Sequence, residues 1–344
     1  MKDAKATVEL PIRREVGPLG PQLAPALRRS KGIRANRGFW MLPVALMAAA
    51  CRDDSSPTEP QQPPELGPGD SRGAFTLDGF DRKYLQHVPP QHDPQQPSPL
   101  LIFFHGFQSS GAEFQAITGL DDIADDEGIV VLYPEGVSGS WAAACDCTTA
   151  DALGVDDVAF VDALIAEVGK SLAVDSKRIY AAGFSQGAQF IHHLACVYAD
   201  HLAAVASVGA TMATVVAQRC QPARPLPFTF IQGTDDPSFP WGGAAGVLIS
   251  LNETVGKWVD LNGCSTKVEA LEPDTDTNDG TVVRTESYSD CDQGAEVILY
   301  SVERGGHTWP SSLVHFPEER FGLTTGDISG RRVIIDFFTR FSLP

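Results

Sequence analysis

Residues 178–187 read RIYAAGFSQG, an apolar run that ends in the pattern G-x-S-x-G. The run is typical of a buried strand, and the residues after it are typical of a helix. In such a strand–turn–helix the serine sits on a sharp turn, and side chains two residues to either side would collide with that turn. The pattern therefore predicts Ser185, between Gly183 and Gly187, as a nucleophile presented at the end of a strand.

A serine hydroxyl is a weak nucleophile at neutral pH, so it needs a base and an acid that orients the base. His307, in GGHTWP at 305–310, follows one predicted strand, and Asp236, in QGTDDP at 232–237, follows another. Asp235 is the competing acid, but an aspartate in such a turn commonly forms the turn itself, so Asp236 is preferred. The order Ser, Asp, His along the chain is that of α/β-hydrolases.

The same reasoning predicts where a developing oxyanion would be held. Acyl transfer needs backbone N–H groups aimed at the developing negative charge. The residue after the nucleophile, Gln186, supplies one such group, and the loop after the third strand, which contains His105 and Phe107, supplies the other. We expect the Phe107 amide to be the second donor, and the His105 ring to brace the loop without titrating.

Short β-rich segments alternate with longer helical ones from residue 72 to the end of the chain. This alternation predicts an α/β fold, a mainly parallel sheet with helices on both faces, in one domain. The predicted strands are 82–87, 100–104, 129–133, 178–184, 203–208, 227–232 and 297–302. The predicted helices are 112–126, 156–172, 186–198, 251–261 and 328–341.

The charge of the chain is large and unevenly distributed. Of the formal net charge of −18, residues 1–50 contribute +6, from nine Lys or Arg against three Asp or Glu, which leaves −24 for residues 51–344. Residues 51–344 are so acidic that they are a poor partner for polyanions, and nucleic-acid binding is excluded.

The basic head leads into an apolar run, FWMLPVALMAAA at 39–50, which is too short to cross a bilayer as a helix. We interpret residues 1–50 as an export signal with a long basic n-region. The run ends in Ala-Ala-Ala-Cys51, which fits either cleavage at a small-residue site or a bacterial lipobox that makes Cys51 the lipidated first residue. The Pro-rich polar segment 51–71 resembles a tether, so a lipoprotein of the cell envelope is favoured over a freely secreted protein. Contact with a membrane is expected only through this anchor.

Six cysteines remain in a chain expected to reach an oxidising compartment, so disulfides are predicted. Cys196 with Cys220 and Cys264 with Cys291 each flank a short segment, and these are the expected bridges. Cys145 and Cys147 form a less favoured pair, because a C-x-C bridge closes a small strained ring. A metal site is not expected there either, since no second pair of ligands matches.

The motifs together resemble one known family. PLLIFFHG at 99–106, YPEG at 133–136, GVDDVAFVDALI at 154–165, RIYAAGFSQG, LAC, FIQGTDDPSFPW and GGHTWP occur in the order found in polyhydroxybutyrate depolymerases and feruloyl or acetylxylan esterases of the carbohydrate esterase family 1 type. The resemblance runs from about residue 82 to 341. It implies an α/β-hydrolase fold and a triad of Ser185, Asp236 and His307. It also places Trp141, Trp241 and Trp309 along the substrate cleft.

The chain departs from the family pattern near the acyl pocket, at Phe107, where Cys or Gly is common, and at Ala188, where Gly is common. No separate substrate-binding domain, of the kind that extracellular polyester depolymerases often carry, is predicted from the sequence. The expected function is a cofactor-free serine esterase acting on a small-molecule, oligomeric or polysaccharide-linked ester. A peptidase or thioesterase on the same scaffold is the alternative, and a surface binding module without catalysis is a third. The natural ester and the oligomeric state are not predicted.

Overall fold

Ten strands form one sheet in the computed structural model, which describes residues 69–344. The strands are β1 (Asp70–Leu77), β2 (Phe80–His87), β3 (Ser98–Phe104), β4 (Val130–Pro134), β5 (Val174–Phe184), β6 (Ala204–Val208), β7 (Phe228–Gly233), β8 (Thr266–Leu271), β9 (Val282–Ser289) and β10 (Val297–Glu303). Their order across the sheet is β1-β2-β4-β3-β5-β6-β7-β10-β9-β8. The six central strands from β4 to β10 run parallel, and both edges are antiparallel.

Helices cover both faces of this sheet. They are α1 (Gly111–Thr118), α2 (Leu120–Glu127), α3 (Thr149–Ala152), α4 (Asp157–Val168), α5 (Gln186–Val197), α6 (Thr214–Arg219), α7 (Leu251–Leu261), α8 (Glu318–Phe321) and α9 (Gly330–Phe338). One core lies between the sheet and α4, α5 and α7, and the other lies between the sheet and α1, α2 and α9. Successive residues of β3 enter the two cores alternately, which explains its continuous apolar run. The predicted α/β-hydrolase fold is confirmed.

The structure corrects the predicted elements at three places. The helix predicted over 112–126 is two helices, because Gly119 adopts φ 56° and ends α1. Strand β1 was not predicted, since the first predicted strand, 82–87, corresponds to β2; β1 begins at Asp70, so two residues of the predicted tether belong to it. The antiparallel strands β8 and β9 were not predicted as a pair, although they form the strand-like segment between Cys264 and Cys291.

Three disulfides join the described cysteines. Cys196–Cys220 and Cys264–Cys291 are the two predicted bridges, and both are confirmed. Cys145 and Cys147 are also bonded to each other, so the expectation against this pair was wrong. The backbone makes this small ring possible because the residues before and inside it, Ala144 and Asp146, adopt left-handed φ angles of 52° and 54°.

The predicted export signal, most of the tether and Cys51 lie outside the described residues. Within residues 69–344, no helix has the length and apolar character needed to cross a membrane.

Candidate active site

Ser185 occupies a strained turn between β5 and α5. Its backbone angles are φ 57° and ψ −123°, a region that costs a non-glycine residue roughly 1–3 kcal/mol. A Cβ on Gly187 would lie 2.1 Å from the carbonyl oxygen of Phe104, and one on Gly183 would lie 2.5 Å from the Gly187 backbone. The two glycines are therefore required by close packing, as the motif predicts.

Three side chains from three separate loops converge at this turn. The Nε2 atom of His307 lies 2.8 Å from the Ser185 Oγ, and its Nδ1 atom lies 2.8 Å from Oδ2 of Asp236. Asp236 follows β7 and His307 follows β10, two parallel strands that are neighbours in the sheet. The structure thus brings together the three residues that the sequence predicts.

Asp236 is held by more than the histidine. Its Oδ1 accepts hydrogen bonds from the backbone N–H groups of Ser238 and Phe239, both at 2.8 Å, and its Oδ2 accepts one from Gln232 Nε2 at 3.0 Å. Asp236 is 3% exposed, whereas Asp235 is exposed and, among residues 69–344, its side chain hydrogen-bonds only to Thr234. The choice of Asp236 over Asp235 agrees with this geometry.

The proposed oxyanion loop lies directly against the nucleophile. A Cβ on Gly106 would lie 3.3 Å from Cβ of Ser185 and 3.7 Å from its Oγ. Gln186 is the first residue of α5, where backbone N–H groups have no partner within the helix. The Phe107 and Gln186 amides are thus located on the two segments that flank Ser185.

His105 braces this loop through both ring nitrogens. Its Nε2 accepts a hydrogen bond from the Gly136 N–H at 3.0 Å, so its Nδ1 carries the proton and donates to the Gly106 carbonyl at 2.7 Å. The ring is fully buried, and burial lowers the pKa of His105 to about 4. His105 is therefore neutral at physiological pH, in keeping with a structural role.

A second loop, residues 137–148, holds the oxyanion loop in place. The carbonyls of Gly139 and Ser138 accept hydrogen bonds from the backbone and side-chain N–H groups of Gln108, which has φ 58°. The Trp141 ring N–H donates to the His105 carbonyl at 2.9 Å, and its backbone N–H donates to Gln186 Oε1 at 3.0 Å. This loop therefore connects the segments that carry both proposed oxyanion donors.

Two of the three tryptophans predicted along the cleft do not face it. Trp141 and Trp309 are 0% exposed and lie in the two cores, where they pack on Phe104 and Phe103 respectively. Because neither side chain has accessible surface, neither is available to a substrate in this conformation. Trp241 is half-buried in the loop after Asp236, and its role in binding stays a prediction.

Sequence reasoning missed the residues that support the triad and the loops. Gln232 fixes Asp236, and the buried Asp157 accepts a hydrogen bond from the Ala142 N–H at 2.7 Å and pairs with the buried Arg82. The ring of Phe239 lies parallel to that of His307, with centroids 5.9 Å apart. The motif GVDDVAF marked Asp157 as part of a pattern, but its partner Arg82 is 75 residues away.

Two groups of side chains in residues 69–344 come close enough to hold a metal ion. In the first, Cys145 and Cys147 are bonded to each other beside Asp151, so their sulfurs are not thiolates. In the second, Asp70 and Asp121 surround His87, whose two ring nitrogens already bond to Asp70 and Asp125. Neither of these two groups includes a residue of the triad.

Known proteins resemble this chain in sequence and in fold. Residues 83–220 match the family model Esterase PHB depolymerase. The Nocardia uniformis subsp. tsuyamanensis protein "Putative esterase NocK" is 29% identical over 275 residues, which cover 75% of this chain and 79% of that protein. Feruloyl esterase B of Piromyces equi is 29% identical over 240 residues, which cover 66% of this chain but only 42% of that protein.

The solved structure of acetyl xylan esterase from Aspergillus awamori superposes with a TM-score of 0.54 at 14% identity, covering 78% of this chain and 99% of that one. At this sequence identity, the match shows only that the two proteins share a fold. The sequence relatives and the fold together identify the chain as a carboxylic ester hydrolase built on an α/β-hydrolase scaffold.

Proposed function

We propose that the chain is a serine esterase that hydrolyses carboxylic esters through an acyl-enzyme. The observation that carries this proposal is the unbroken hydrogen-bonded series from Asp236 through His307 to Ser185, with both links at 2.8 Å. A serine paired in this way can lose its proton to the imidazole as it attacks a carbonyl.

In the first half of the reaction, the Ser185 Oγ attacks the ester carbonyl carbon and His307 Nε2 accepts the hydroxyl proton. Asp236 accepts the hydrogen bond from Nδ1–H, which holds the tautomer that leaves Nε2 free to act as a base. The positive charge that forms on the imidazole is stabilised by the carboxylate. Because the Ser238 and Phe239 N–H groups fix the other carboxylate oxygen, Asp236 does not need to reorient during this step.

The negative charge that develops on the carbonyl oxygen is stabilised by the amides of Phe107 and Gln186. His307 then donates its proton to the leaving alcohol, and the acyl group stays on Ser185. In the second half, His307 takes a proton from water as the water oxygen attacks the acyl carbonyl carbon. His307 then returns that proton to Ser185 Oγ as the bond between Oγ and the acyl carbon breaks, and the acid is released. No step requires a cofactor.

The substrate we propose is an ester of the kind that the relatives' names describe, feruloyl or acetyl groups linked to polysaccharide, or a hydroxyalkanoate oligomer. Phe107 is 52% exposed on the oxyanion loop, and Phe239 lies beside His307, so apolar surface borders the reacting atoms. The family resemblance implies a smaller residue at the position of Phe107, so we propose that the Phe107 side chain narrows the acyl site.

We also propose that the chain is exported and tethered to the cell envelope through a lipid on Cys51. The apolar run before Cys51 and the polar segment after it support this placement. The three disulfides of the described residues fit an oxidising compartment.

The proposal is tested by a substrate panel with the purified protein and its Ser185→Ala variant. The panel holds p-nitrophenyl acetate and butyrate, methyl ferulate, acetylated xylan and a 3-hydroxybutyrate oligomer. We expect turnover that Ser185→Ala abolishes, and stoichiometric labelling of the wild type, but not the variant, by a fluorophosphonate. A Ser109→Ala variant is the matched control, because Ser109 lies on the oxyanion loop but its hydroxyl bonds only to Glu113 in the part of the chain that the structure describes. Unchanged hydrolysis in Ser185→Ala, or a folded wild type that neither reacts nor turns over any ester, would contradict the mechanism.

A further inference from the structure

A groove of about 770 Å³ lies beside the oxyanion loop and is not used by the mechanism above. One wall is the β1–β2 hairpin, and the other is the segment 135–138 that follows β4. That segment contacts the oxyanion loop directly, because the Gly136 N–H donates to the His105 ring and the Ser138 carbonyl accepts from Gln108. The groove and the catalytic loops therefore share a common wall.

The sheet topology places the groove on the same edge as Ser185. Strand β2 is antiparallel to β4, so the hairpin turn at Asp78–Gly79 projects from the carboxyl edge of the parallel strands, where Ser185 also lies. In sheet order, β4 is two strands from β5, and β2 is three. At a strand spacing of about 4.8 Å, the groove lies roughly 10–15 Å to the side of the nucleophile. A small ester held at Ser185 ends before this groove, whereas a chain of several monomer units reaches it.

The lining combines an apolar floor with a polar rim of balanced charge. Ala74 and Lys83 are directly opposite each other in the β1–β2 register, so their side chains share the groove face. Ala112 and Val137 contribute further apolar surface. The charged side chains on the rim are Arg72, Lys83, Asp81 and Glu135, two of each sign.

This combination fits one class of polymer. A polyanion would be opposed by the carboxylates and by the acidic residues 51–344. A polyester offers carbonyl oxygens that accept hydrogen bonds but no group that donates one, so it could bond to Lys83 but not to the carboxylates of Asp81 and Glu135. An uncharged sugar chain presents apolar C–H faces for the floor and hydroxyl groups for carboxylates and ammonium groups. We propose that this groove is a subsite that binds the uncharged polysaccharide chain of an ester whose acyl group lies at Ser185. The inference rests on the proposed esterase function and adds to it the binding of the polymer.

The test uses the full-length protein, a groove-filling variant and substrates of graded length. Ala74→Trp introduces a large ring on an exposed strand position, which strands tolerate well. Lys83→Ser removes a rim donor. For acetylated xylo-oligosaccharides long enough to reach the groove, we expect both variants to lose about tenfold in kcat/KM, mainly through KM. For p-nitrophenyl acetate and for acetylated xylose, kcat/KM is expected to stay at the wild-type value.

Matched controls carry the same changes elsewhere. Val268→Trp places the same ring on the exposed edge strand β8, and Lys257→Ser removes a lysine from α7, and neither residue lines the groove. Both should retain the wild-type dependence on chain length. Thermal unfolding of each variant shows whether it is folded.

Direct binding separates failure of this inference from failure of the esterase proposal. Unesterified xylo-oligosaccharides are titrated into the Ser185→Ala protein by calorimetry, with Ala74→Trp in the same background. Binding that Ala74→Trp removes supports the subsite. Absence of binding, binding that Ala74→Trp leaves intact, or binding of a 3-hydroxybutyrate oligomer in place of the sugar chain would overturn it, even if p-nitrophenyl acetate hydrolysis is normal.

Discussion

Replacing Asp236 by Asn tests the role of the triad carboxylate most directly. Oδ1 accepts two backbone N–H groups, from Ser238 and Phe239, so an Asn at this position must keep its carbonyl oxygen there. Its amide nitrogen then occupies the place of Oδ2 and faces His307 Nδ1. Because that nitrogen is a donor, the histidine must place its own proton on Nε2, where it can no longer accept the proton of Ser185.

The magnitude follows from this loss of the productive tautomer. We expect kcat to fall by about 10³- to 10⁴-fold, which corresponds to roughly 4–5.5 kcal/mol of lost transition-state stabilisation. The Asn amide would also face Gln232 Nε2, which donates to Oδ2 at 3.0 Å and to the Phe239 carbonyl. Two buried donors then oppose each other, so the free energy of unfolding should fall by about 1–3 kcal/mol.

The assay is p-nitrophenyl acetate hydrolysis, with Asp235→Asn as the matched control. Asp235 is exposed and bonds through its side chain only to Thr234 in the described structure, so its replacement should leave kcat near the wild-type value. Urea unfolding of both variants separates loss of folding from loss of chemistry. Retention of kcat within tenfold by Asp236→Asn, or an equal loss in Asp235→Asn, would refute the assignment.

Three further experiments test the supporting structure. Gly187→Ala should lower the free energy of unfolding by more than about 3 kcal/mol, because its Cβ would lie 2.1 Å from a carbonyl oxygen. Gly256→Ala in α7, where an added Cβ has no atom nearby, should instead raise the free energy of unfolding by about 1 kcal/mol. Chemical denaturation compares the two variants. Arg82→Met should cost about 3–5 kcal/mol because it leaves the buried carboxylate of Asp157 without its cation, and Arg82→Met combined with Asp157→Asn should recover part of that loss in the same assay. Burial lowers the pKa of His192 to about 3, so as the pH falls below about 6.5 the unfolded state binds a proton that the folded state does not bind. Compared with His192→Phe, the wild type should therefore lose about 2–3 kcal/mol in the free energy of unfolding between pH 6.5 and 4.5. Urea unfolding at each pH measures this loss.

The triad was predictable because its residues lie in local patterns that the fold arranges by simple rules. Ser185 is defined by two glycines, and Asp236 and His307 each follow a strand. In a parallel sheet, residues that follow neighbouring strands meet at the carboxyl edge. No contact between side chains distant in sequence has to be known to predict that these three residues meet.

The supporting contacts could not be predicted in the same way, because they join distant residues that carry no pattern of their own. Nothing local to Arg82 indicates that it pairs with Asp157, and nothing local to Trp141 indicates that its N–H groups bond to His105 and Gln186. The burial of Trp141 and Trp309 likewise depends on loop packing. Large aromatic residues near a cleft motif can face either way, and sequence alone does not decide between them.

The Cys145–Cys147 bridge was not expected, because the prediction considered only the small size of the ring that it closes. A C-x-C ring is strained at ordinary backbone angles, but here the side chain of Asp151 accepts hydrogen bonds from the N–H groups of Ala144, Cys147 and Thr148 and folds the loop back on itself. That carboxylate offsets part of the cost of the left-handed angles at Ala144 and Asp146. In this bent loop the Cα atoms of the two cysteines lie 5.0 Å apart.

Strand β2 contributes both to the groove and to the support of the catalytic loops, and its successive side chains point to opposite faces of the sheet. Substitutions on the two faces therefore test polymer binding and catalysis separately. In β2, Asp81 and Lys83 point to the groove, while Arg82 points to the opposite face and bonds to Asp157. Asp157 in turn holds Ala142, one residue from the Trp141 N–H that bonds to Gln186. A change at Arg82 should therefore lower hydrolysis of every ester, because it loosens the oxyanion loop. A change at Lys83 should lower hydrolysis only of esters on long sugar chains. Two adjacent residues of β2 would then act on different functions, Arg82 on catalysis and Lys83 on polymer binding.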